Sequence, residues 1–333
     1  MDAIDIHAHV LLPGVLGACG EAGPELGIQD GVERFRAGDY TISGVRFSDS
    51  PMSDPAQRLA LMDRMSIAFQ IVSPYPMLFF YDQPVSAAIA FARKHNDEMA
   101  GLVRSHPQRF AGFATLPMQE PDAAVAELRR AIGELGLVGS YIGSDFGGRQ
   151  LSDPAFEPLW VEHVRLGVPV VIHPGPPPQR PGRKAPWDLD LVIGFSTDET
   201  AAVAHLLFGG VLDRHPGLVV VIPHGGGFAP YVRSRFEFAL AKRPWGRGLL
   251  RRSFGEVWGQ LVFDCLVHDA LTLEYLIRAH GAHRVVLGTN FAAWDQDDHM
   301  IDRLARLPLP AADIQAVLGV NARRLFLKNR ING

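Results

Sequence analysis

Short apolar runs rich in β-branched residues alternate along the chain with stretches whose apolar residues recur at helical spacing. Each run is apolar at nearly every position, which is typical of parallel strands covered by helices on both faces. The predicted strands span 3–7, 67–73, 109–115, 137–142, 168–173, 218–223, 260–265 and 284–288. The predicted helices span 55–64, 122–135, 154–166, 198–214 and 271–280.

Eight strand–helix units in 333 residues predict an α/β protein, specifically a (β/α)8 TIM barrel. A doubly wound sheet is the alternative, but it usually carries a Gly-rich phosphate turn after its first strand, and no G-x-G-x-x-G occurs here. Residues 11–53 are Gly-rich without a clear helix and predict an inserted flap over the barrel mouth. Residues 308–327 predict one or two extra helices. We therefore expect a single domain over residues 1–333.

The composition adds few constraints, with 47% hydrophobic and 20% charged residues and a net charge of −4. These values are ordinary for a globular protein and do not indicate nucleic acid or an anionic membrane as a partner. We find no apolar run that approaches the roughly 20 residues of a membrane span. Cys19 and Cys265 form neither a disulfide framework nor a metal-ligand spacing, and no secretory signal is evident. We expect a cytoplasmic protein.

Two histidines, His7 and His9, stand at the end of the first predicted strand. Side chains two positions apart on a strand point the same way, so both imidazoles could share one cation. Imidazole suits zinc, iron, nickel and copper, and zinc is the default because three protein ligands plus a water is a common catalytic arrangement. Ordinary hydrogen bonding of two polar residues at a strand end is the alternative.

Further polar residues end other predicted strands. His173 ends the fifth, His224 follows the sixth, and Asn290 follows the eighth. Barrels of this class gather their active site at the carboxyl ends of the strands. Most of the other histidines lie on predicted helices or helix ends, where solvation is expected. The clustering therefore predicts one site built from several strands.

These residues resemble the amidohydrolase superfamily, in its subgroup of metal-dependent decarboxylases typified by aminocarboxymuconate semialdehyde decarboxylase. The resemblance spans nearly the whole chain. The motifs that carry it are Ile4-Asp5-Ile6-His7-Ala8-His9, Thr115-Leu116-Pro117-Met118-Gln119, Ile172-His173-Pro174, His224-Gly225-Gly226-Gly227, Leu266-Val267-His268-Asp269, Val286-Leu287-Gly288-Thr289 and Asn321-Ala322-Arg323-Arg324-Leu325-Phe326.

The resemblance implies a ligand set and an acid–base group. It implies that His7, His9 and His173 bind zinc, with manganese or iron also possible in this superfamily. His224 matches a histidine beside the metal that activates its bound water. Asn290 stands where the family has an Asp that binds the metal and shuttles a proton.

The resemblance also implies substrate contacts and a dimer. Arg46 matches a flap arginine that holds a substrate carboxylate, which suits its bidentate fork. Arg235 matches an arginine that family dimers lend to the neighbouring subunit for the same purpose. Trp187 and Trp294 lie on loops at the same mouth and could stack on a planar substrate or pack in the core. From the residues alone, the cationic loop with Arg180, Arg183 and Lys184 suits a lid over an acidic substrate, although a solvated loop is the commoner interpretation of such a segment.

Asn290 is a departure from the family pattern. A carboxamide neither adds negative charge to a metal nor accepts a proton at ordinary pH, although its oxygen can coordinate. The segment 291–295 also replaces the usual Tyr-Pro-Phe, so we favour a natural subgroup over a single inactivating substitution. His224 would then be the main acid–base group, or Asp295 could substitute. Asp264, inside the seventh strand, is a weaker substitute.

Three functional hypotheses follow. The first is a metal-dependent, non-oxidative decarboxylase of a small unsaturated or aromatic carboxylic acid. The second is a metal-dependent hydrolase or hydratase that acts on ring-cleavage products on the same scaffold, with water as the nucleophile. The third is a relative that binds a carboxylate ligand without catalysis, and Asn290 is its only support.

Overall fold

The computed structural model describes residues 2–175 and 186–328, so the predicted lid residues Arg180, Arg183 and Lys184 lie outside the described residues. Within those ranges the chain forms eleven strands. They are β1 Ala3–Val10, β2 Glu25–Gln29, β3 Val32–Ala37, β4 Tyr40–Ser43, β5 Ile67–Pro74, β6 Phe110–Gly112, β7 Ser140–Ile142, β8 Val170–Ile172, β9 Val220–Ile222, β10 Leu261–Asp264 and β11 Val285–Val286.

Eight of these strands run parallel and close into a barrel. Strands β1, β5 and β6 pair in one ladder, and β7 to β11 pair in chain order in another. A parallel bridge between Ala114 and Ser140 joins the two ladders on one side, and a bridge between Ala8 and Phe291 joins them on the other. These contacts close the sheet and agree with the predicted (β/α)8 barrel.

The barrel strands are mostly shorter than predicted. The run 137–142 pairs as a strand only at Ser140–Ile142, and the run 284–288 only at Val285–Val286. Strands in a closed barrel are tilted and staggered, so neighbouring strands overlap over only a few residues. The apolar runs mark buried residues, and residues on either side of the hydrogen-bonded ladder are buried as well.

The barrel interior is a packed apolar core with at least one side chain from each parallel strand. Phe326 of the last helix contacts Phe113 with ring centroids 5.4 Å apart, so this helix closes one end of the core. The interior strand residues are Ile4, Ile6, Ile71, Ala111, Phe113, Tyr141, Val171, Val221, Val262 and Val286.

Twelve α-helices lie in the described residues. They are α1 Pro55–Arg64, α2 Val85–Ser105, α3 Pro121–Gly133, α4 Glu157–Leu166, α5 Phe195–Phe208, α6 Val211–Arg214, α7 Ala229–Lys242, α8 Phe254–Trp258, α9 Ala270–His280, α10 Met300–Ala305, α11 Ala311–Gln315 and α12 Asn321–Phe326. The predicted helix 198–214 is two helices, because Gly210 has a φ of 69° and interrupts it. The long helix α2 was not identified from the sequence.

The segment between β1 and α1 contains an antiparallel sheet, in the order β2-β3-β4, that the sequence did not predict. Its strands are largely exposed, but Phe35 of β3 is fully buried. The Phe35 ring lies 4.8 Å from Phe47 and 5.6 Å from Tyr75, which follows β5. The edge-to-face contact of Phe35 with Tyr75 therefore anchors this segment to the carboxyl end of β5.

One helical stretch, Asp190–Phe208, is long and apolar enough to cross a membrane by length and composition alone, which the sequence analysis did not expect. It consists of a π-helical turn followed by α5. Ala202, Val203 and Leu206 of α5 are buried in the main core. Glu199, on the same helix, contacts His224 at the end of β9. We therefore interpret this stretch as part of the barrel.

Asn321, the first residue of the closing motif, ties α12 to the barrel. Its Nδ2 donates to the carbonyl oxygens of Ala282 and Val285 at 2.7 and 2.8 Å. We expect Asn321→Ala to lower the free energy of unfolding by about 1–3 kcal/mol, because two buried carbonyls lose their donor. Chemical denaturation measures this, with Arg323→Ala as the exposed control on the same helix. Equal stability of the two variants would contradict the assignment.

Candidate metal and acid–base site

Three histidines meet at the carboxyl ends of β1 and β8. His7 and His9 lie on β1, whose pairing with β5 shifts register between Asp5 and Ala8. His173 directly follows β8. One ring nitrogen from each histidine lies within 4.8 Å of the others, and all three residues are buried. Across this shift, both β1 histidines still face the same point.

The three rings are oriented through their Nδ1 atoms, which leaves each Nε2 free to bind a ligand. The Nε2 atoms of His7 and His9 lie 3.2 Å apart, and Nε2 of His173 is buried without a hydrogen-bond partner in the described residues. Such a convergence of unpaired donors fits a divalent cation. The Nδ1 partners are Asp264 Oδ2 at 2.7 Å for His7, Ser73 Oγ at 3.0 Å and the Pro74 carbonyl at 3.1 Å for His9, and the Pro174 carbonyl at 2.7 Å for His173.

Burial keeps these imidazoles in the neutral form that binds metals. It lowers the pKa of His7, although the Asp264 carboxylate opposes the shift. It lowers the pKa of His9 and of His173 well below the usual range, and the neighbouring histidines add to both shifts. A neutral ring offers its lone pair at neutral pH, so metal binding need not displace a proton.

His224 stands beside this cluster and pairs with Glu199. Its ring centroid lies 4.9 Å from that of His7 and 5.0 Å from that of His173. Its Nδ1 lies 2.6 Å from Oε1 of Glu199, which is fully buried on α5. This contact leaves Nε2 as the ring nitrogen that can exchange a proton with a bound molecule.

The carboxylate of Glu199 controls the charge of His224. Burial by itself would lower the pKa of His224, but Glu199 stabilises the imidazolium and raises that pKa to about 9. Burial raises the pKa of Glu199 to about 7 against the influence of His224. The pair thus retains one proton near the cluster at neutral pH, with the imidazolium–carboxylate form favoured.

The glycine run after His224 allows α5 to approach the turn closely. His224 itself has a φ of 47°, and Gly227 has a φ of 59°. A Cβ on Gly227 would lie 2.4 Å from the Ser196 carbonyl oxygen, so only glycine fits against the first turn of α5. Ser196 precedes Glu199 by three residues. The turn therefore helps to place the Glu199 carboxylate on His224.

Asp264 supports the cluster from β10. Besides its contact with His7, its Oδ1 accepts hydrogen bonds from the backbone N–H groups of Gly225 and Leu266 at 2.9 and 3.1 Å. Burial would raise the pKa of Asp264, but the hydrogen bond with His7 leads the effects that lower it overall. A Cβ at Gly288 would lie 2.7 Å from Oδ2 of Asp264, so the glycine leaves room for this carboxylate. Asp264 orients a histidine rather than pairing with an arginine.

A second buried carboxylate, Asp5, connects β1 to the end of the eighth barrel strand. It accepts hydrogen bonds from the backbone N–H of His7 and from both the backbone and the hydroxyl of Thr289. Gln70 donates to Asp5 at 3.1 Å and accepts from the buried Arg58 at 2.9 Å. Burial raises the pKa of Asp5 to about 6. This network fixes the backbone that presents His7.

Asn290 and Asp295 contact each other at the end of the eighth barrel strand. Asn290 is buried, has a φ of 50°, and donates through Nδ2 to Oδ1 of Asp295. Oδ2 of Asp295 lies 3.5 Å from Nε2 of His268. Burial would raise the pKa of Asp295, but His268, His224 and His7 lower it overall. Both candidate residues therefore lie in one hydrogen-bonded loop beside the histidines.

No contact within the described residues joins the four predicted substrate-binding residues to the histidines. Arg46 is exposed and donates to the Ser48 carbonyl, and Arg235 is exposed on α7. Trp187 and Trp294 are 84% and 67% exposed, so neither packs in the core. The roles of all four stay predictions.

Sequence reasoning missed Glu199 and underestimated Asp264. Glu199 lies one residue inside the predicted helix 198–214, and a carboxylate at the start of a helix usually has a solvated or capping role. Asp264 was weighed as a substitute acid or as a buried carboxylate that bonds backbone or an arginine, not as the partner of His7, although it breaks an otherwise apolar strand. A charged residue inside such a strand was the available signal, whereas nothing local identified Glu199.

Comparison with known proteins agrees with the fold. The amidohydrolase family model matches residues 4–327. The 2-amino-3-carboxymuconate-6-semialdehyde decarboxylase of Dictyostelium discoideum is 35% identical over 248 residues, covering 73% of this chain and 68% of that protein. The gamma-resorcylate decarboxylase of Rhizobium sp. (strain MTP-10005) is 31% identical over 286 residues, covering 81% and 86%.

Solved structures extend the likeness to the whole fold. A 2,6-dihydroxybenzoate decarboxylase complexed with 2,6-dihydroxybenzoate superposes with a TM-score of 0.79 at 27% identity, covering 98% of this chain and 99% of the other. A dihydroxybenzoic acid decarboxylase from Polaromonas sp. JS666 with bound manganese has a TM-score of 0.76 at 24% identity, covering 99% and 98%. The predicted resemblance is confirmed: this chain belongs to the amidohydrolase family, and its named relatives are decarboxylases, that is, carbon–carbon lyases.

Proposed function

We propose that this protein is a metal-dependent, non-oxidative decarboxylase of a small aromatic or unsaturated carboxylic acid. The observation that carries the proposal is the convergence of three buried histidines, His7, His9 and His173, beside the hydrogen-bonded pair of His224 and Glu199. Relatives that span most of the chain act, by name, on ring-derived or dihydroxybenzoic acids. A small carboxylic acid is therefore the proposed substrate class.

Zinc is the ion we propose for the histidine site. Imidazole nitrogen suits zinc, and three histidines leave room on the ion for oxygen ligands, including a substrate oxygen or water. Manganese is the alternative, since a structural neighbour carries it, and iron remains a further candidate. When bound, such an ion would act as a Lewis acid on an oxygen of the substrate.

The residues of the chain supply the proton transfer. His224 holds its Nδ1 on Glu199, so Nε2 is the atom that gives a proton to the substrate carbon bearing the carboxylate. The bond between that carbon and the carboxylate breaks, its electron pair returns to the substrate framework, and CO2 leaves. Overall, the substrate loses CO2 and gains the proton of His224. His224 then takes up a proton from solvent.

The rings around the site suit a planar acid. Phe195 lies 5.6 Å from His173, and Tyr75 lies 6.1 Å from His9, measured between ring centroids. Phe47 packs 5.9 Å from Tyr75, so its neighbour Arg46 lies on the part of the flap that is joined to the site. We propose that Arg46 binds the substrate carboxylate once the substrate is present.

The face of α7 around Arg235 supports a homodimer. Phe228, Tyr231 and Phe238 recur at helical spacing on this face and are 46%, 84% and 64% exposed. Exposed apolar side chains of this size commonly mark an interaction surface. Because α7 starts two residues after Gly227 of the His224 turn, this face lies close to the site. We propose that a second copy covers it and that Arg235 reaches the substrate of the partner subunit.

Removal of one histidine tests the metal site. We expect His173→Ala to lose bound zinc and activity together, because two imidazoles hold a dication much less tightly than three. Elemental analysis of protein purified without chelator measures the metal content. His283→Ala, which alters an exposed histidine, is the control and should keep its metal. A full metal complement in His173→Ala would contradict the ligand assignment.

The type of reaction is tested with 2,6-dihydroxybenzoate and related hydroxybenzoic acids in D2O. We expect one CO2 released for each acid consumed and deuterium on the carbon that carried the carboxylate. Mass spectrometry of the product and CO2 detection measure both. A product heavier by one water, without CO2, would instead identify the hydrolase or hydratase, in which water attacks the substrate.

Replacement of Arg235 by alanine tests the proposed dimer. We expect Arg235→Ala to lower kcat/KM about ten- to a hundredfold, because a charge-assisted hydrogen bond to the substrate is lost, without changing the unfolding midpoint. Steady-state kinetics and sedimentation measure the two effects. Arg247→Ala, an exposed arginine outside α7, is the matched control. A fully active monomer would rule out this role for Arg235.

A further inference from the structure

The histidine cluster brings donor atoms but no negative charge. His7, His9 and His173 are neutral when they bind a cation, and no carboxylate joins them in the one group of three candidate ligands found in the described residues. Asp264 contributes its charge indirectly, through the Nδ1 of His7. A carboxylate on the far side of a ligand fixes the orientation of that ligand and raises its basicity.

Asn290 and Asp295 form a similar pairing at the end of the eighth barrel strand. The carboxylate of Asp295 can only accept hydrogen bonds, so the amide nitrogen of Asn290 must face it. The amide oxygen of Asn290 is thereby turned away from Asp295. That oxygen is buried and has no hydrogen-bond partner in the described residues. A buried, oriented and unpaired amide oxygen is a donor available to a cation.

The backbone places Asn290 beside the histidines. The N–H of Phe291 donates to the carbonyl oxygen of His7 at 3.0 Å, and Phe291 forms a parallel bridge with Ala8. Asn290 therefore lies next to the strand segment that carries His7 and His9. Asp295 lies close enough to His7 and His224 for both to lower its pKa.

Backbone hydrogen bonds close the loop 289–297 and bring Asp295 back to Asn290. The N–H of Asp297 donates to the Thr289 carbonyl at 2.9 Å, and the N–H of Ala293 donates to the Asn290 carbonyl at 3.0 Å. Positive φ angles at Asn290 and Ala292 turn the chain back on itself. A carboxylate five residues after the amide thus becomes its hydrogen-bond partner.

We propose that Asp295 is a positioning residue of the metal site. Its carboxylate orients the Asn290 amide so that Oδ1 is offered to the cation between His7, His9 and His173. Through the amide, Asp295 also supplies negative charge that the four donors themselves lack. The inference rests on the proposed function, because it requires a cation at the histidines.

Zinc affinity, measured on the full chain by competition with a chelator, tests this role independently of activity. We expect the isosteric Asp295→Asn to weaken zinc binding about 10- to 100-fold, the usual cost of losing such an outer partner. Asn290→Ala should lose at least as much, because Asp295 acts through that amide. Retained affinity in Asn290→Ala would mean that Asp295 reaches the cation itself and would overturn the proposal.

The double variant, Asn290→Ala with Asp295→Asn, tests whether Asp295 acts through the amide. If it does, the double variant should bind zinc no more weakly than Asn290→Ala alone, because the amide that Asp295 orients is already gone. Additive losses in the double variant would mean that Asp295 acts independently of Asn290 and would overturn the proposal.

Asp298→Asn is the matched control, since it removes one negative charge from an exposed position of the same loop. Its zinc affinity should equal that of the unaltered protein, and every variant should still unfold in a cooperative transition without metal. If the unaltered protein binds zinc and Asp295→Asn binds it equally well, only this inference fails. If the unaltered protein binds no zinc, the proposed function fails as well.

Discussion

Closure of eight parallel strands is the constraint on which the site depends. Parallel strands that return to their starting edge must end on one rim, whatever their separation in the sequence. His7 and Asn290 are far apart along the chain, yet the bridge between Ala8 and Phe291 makes their strand ends neighbours. Without that last pairing, the histidines of β1 would lie at an open edge, away from the end of the eighth strand.

The electrostatics of the rim follow from its burial. Desolvation keeps the metal-facing imidazoles neutral, and a site of neutral donors is a weak host for a dication unless carboxylates stand nearby. Here each carboxylate acts through another side chain, Asp264 through His7 and Glu199 through His224. The rigidity of the barrel makes this indirect arrangement possible, since each contact joins residues on different elements.

Several residues of the family motifs hold the site in place and take no part in its chemistry. Asp5 binds Thr289 across the closing seam of the barrel, so the two motifs that contain them depend on each other. Gly288 leaves space for Asp264, and Gly227 lets α5 approach His224. Substitutions at such positions would disturb the site without removing any group that meets the substrate.

Much of the fold was predictable, because burial on both faces leaves nearly continuous apolar runs and helices leave a 3.6-residue period. All eight barrel strands and the five predicted helices are present, whereas the flap sheet was missed because its exposed strands carry no such pattern. The four histidines could be chosen because a barrel gathers its strand ends at one rim.

The sequence by itself determined the barrel, its order of strands and which residue types reach the rim. Only the tertiary structure decided that Glu199 pairs with His224, that Asp264 supports His7, and that Asp295 faces the Asn290 amide. Periodicity reports how deeply a side chain is buried, which is a local property. The partner of a buried charge depends on how distant elements pack together, and no local pattern records that.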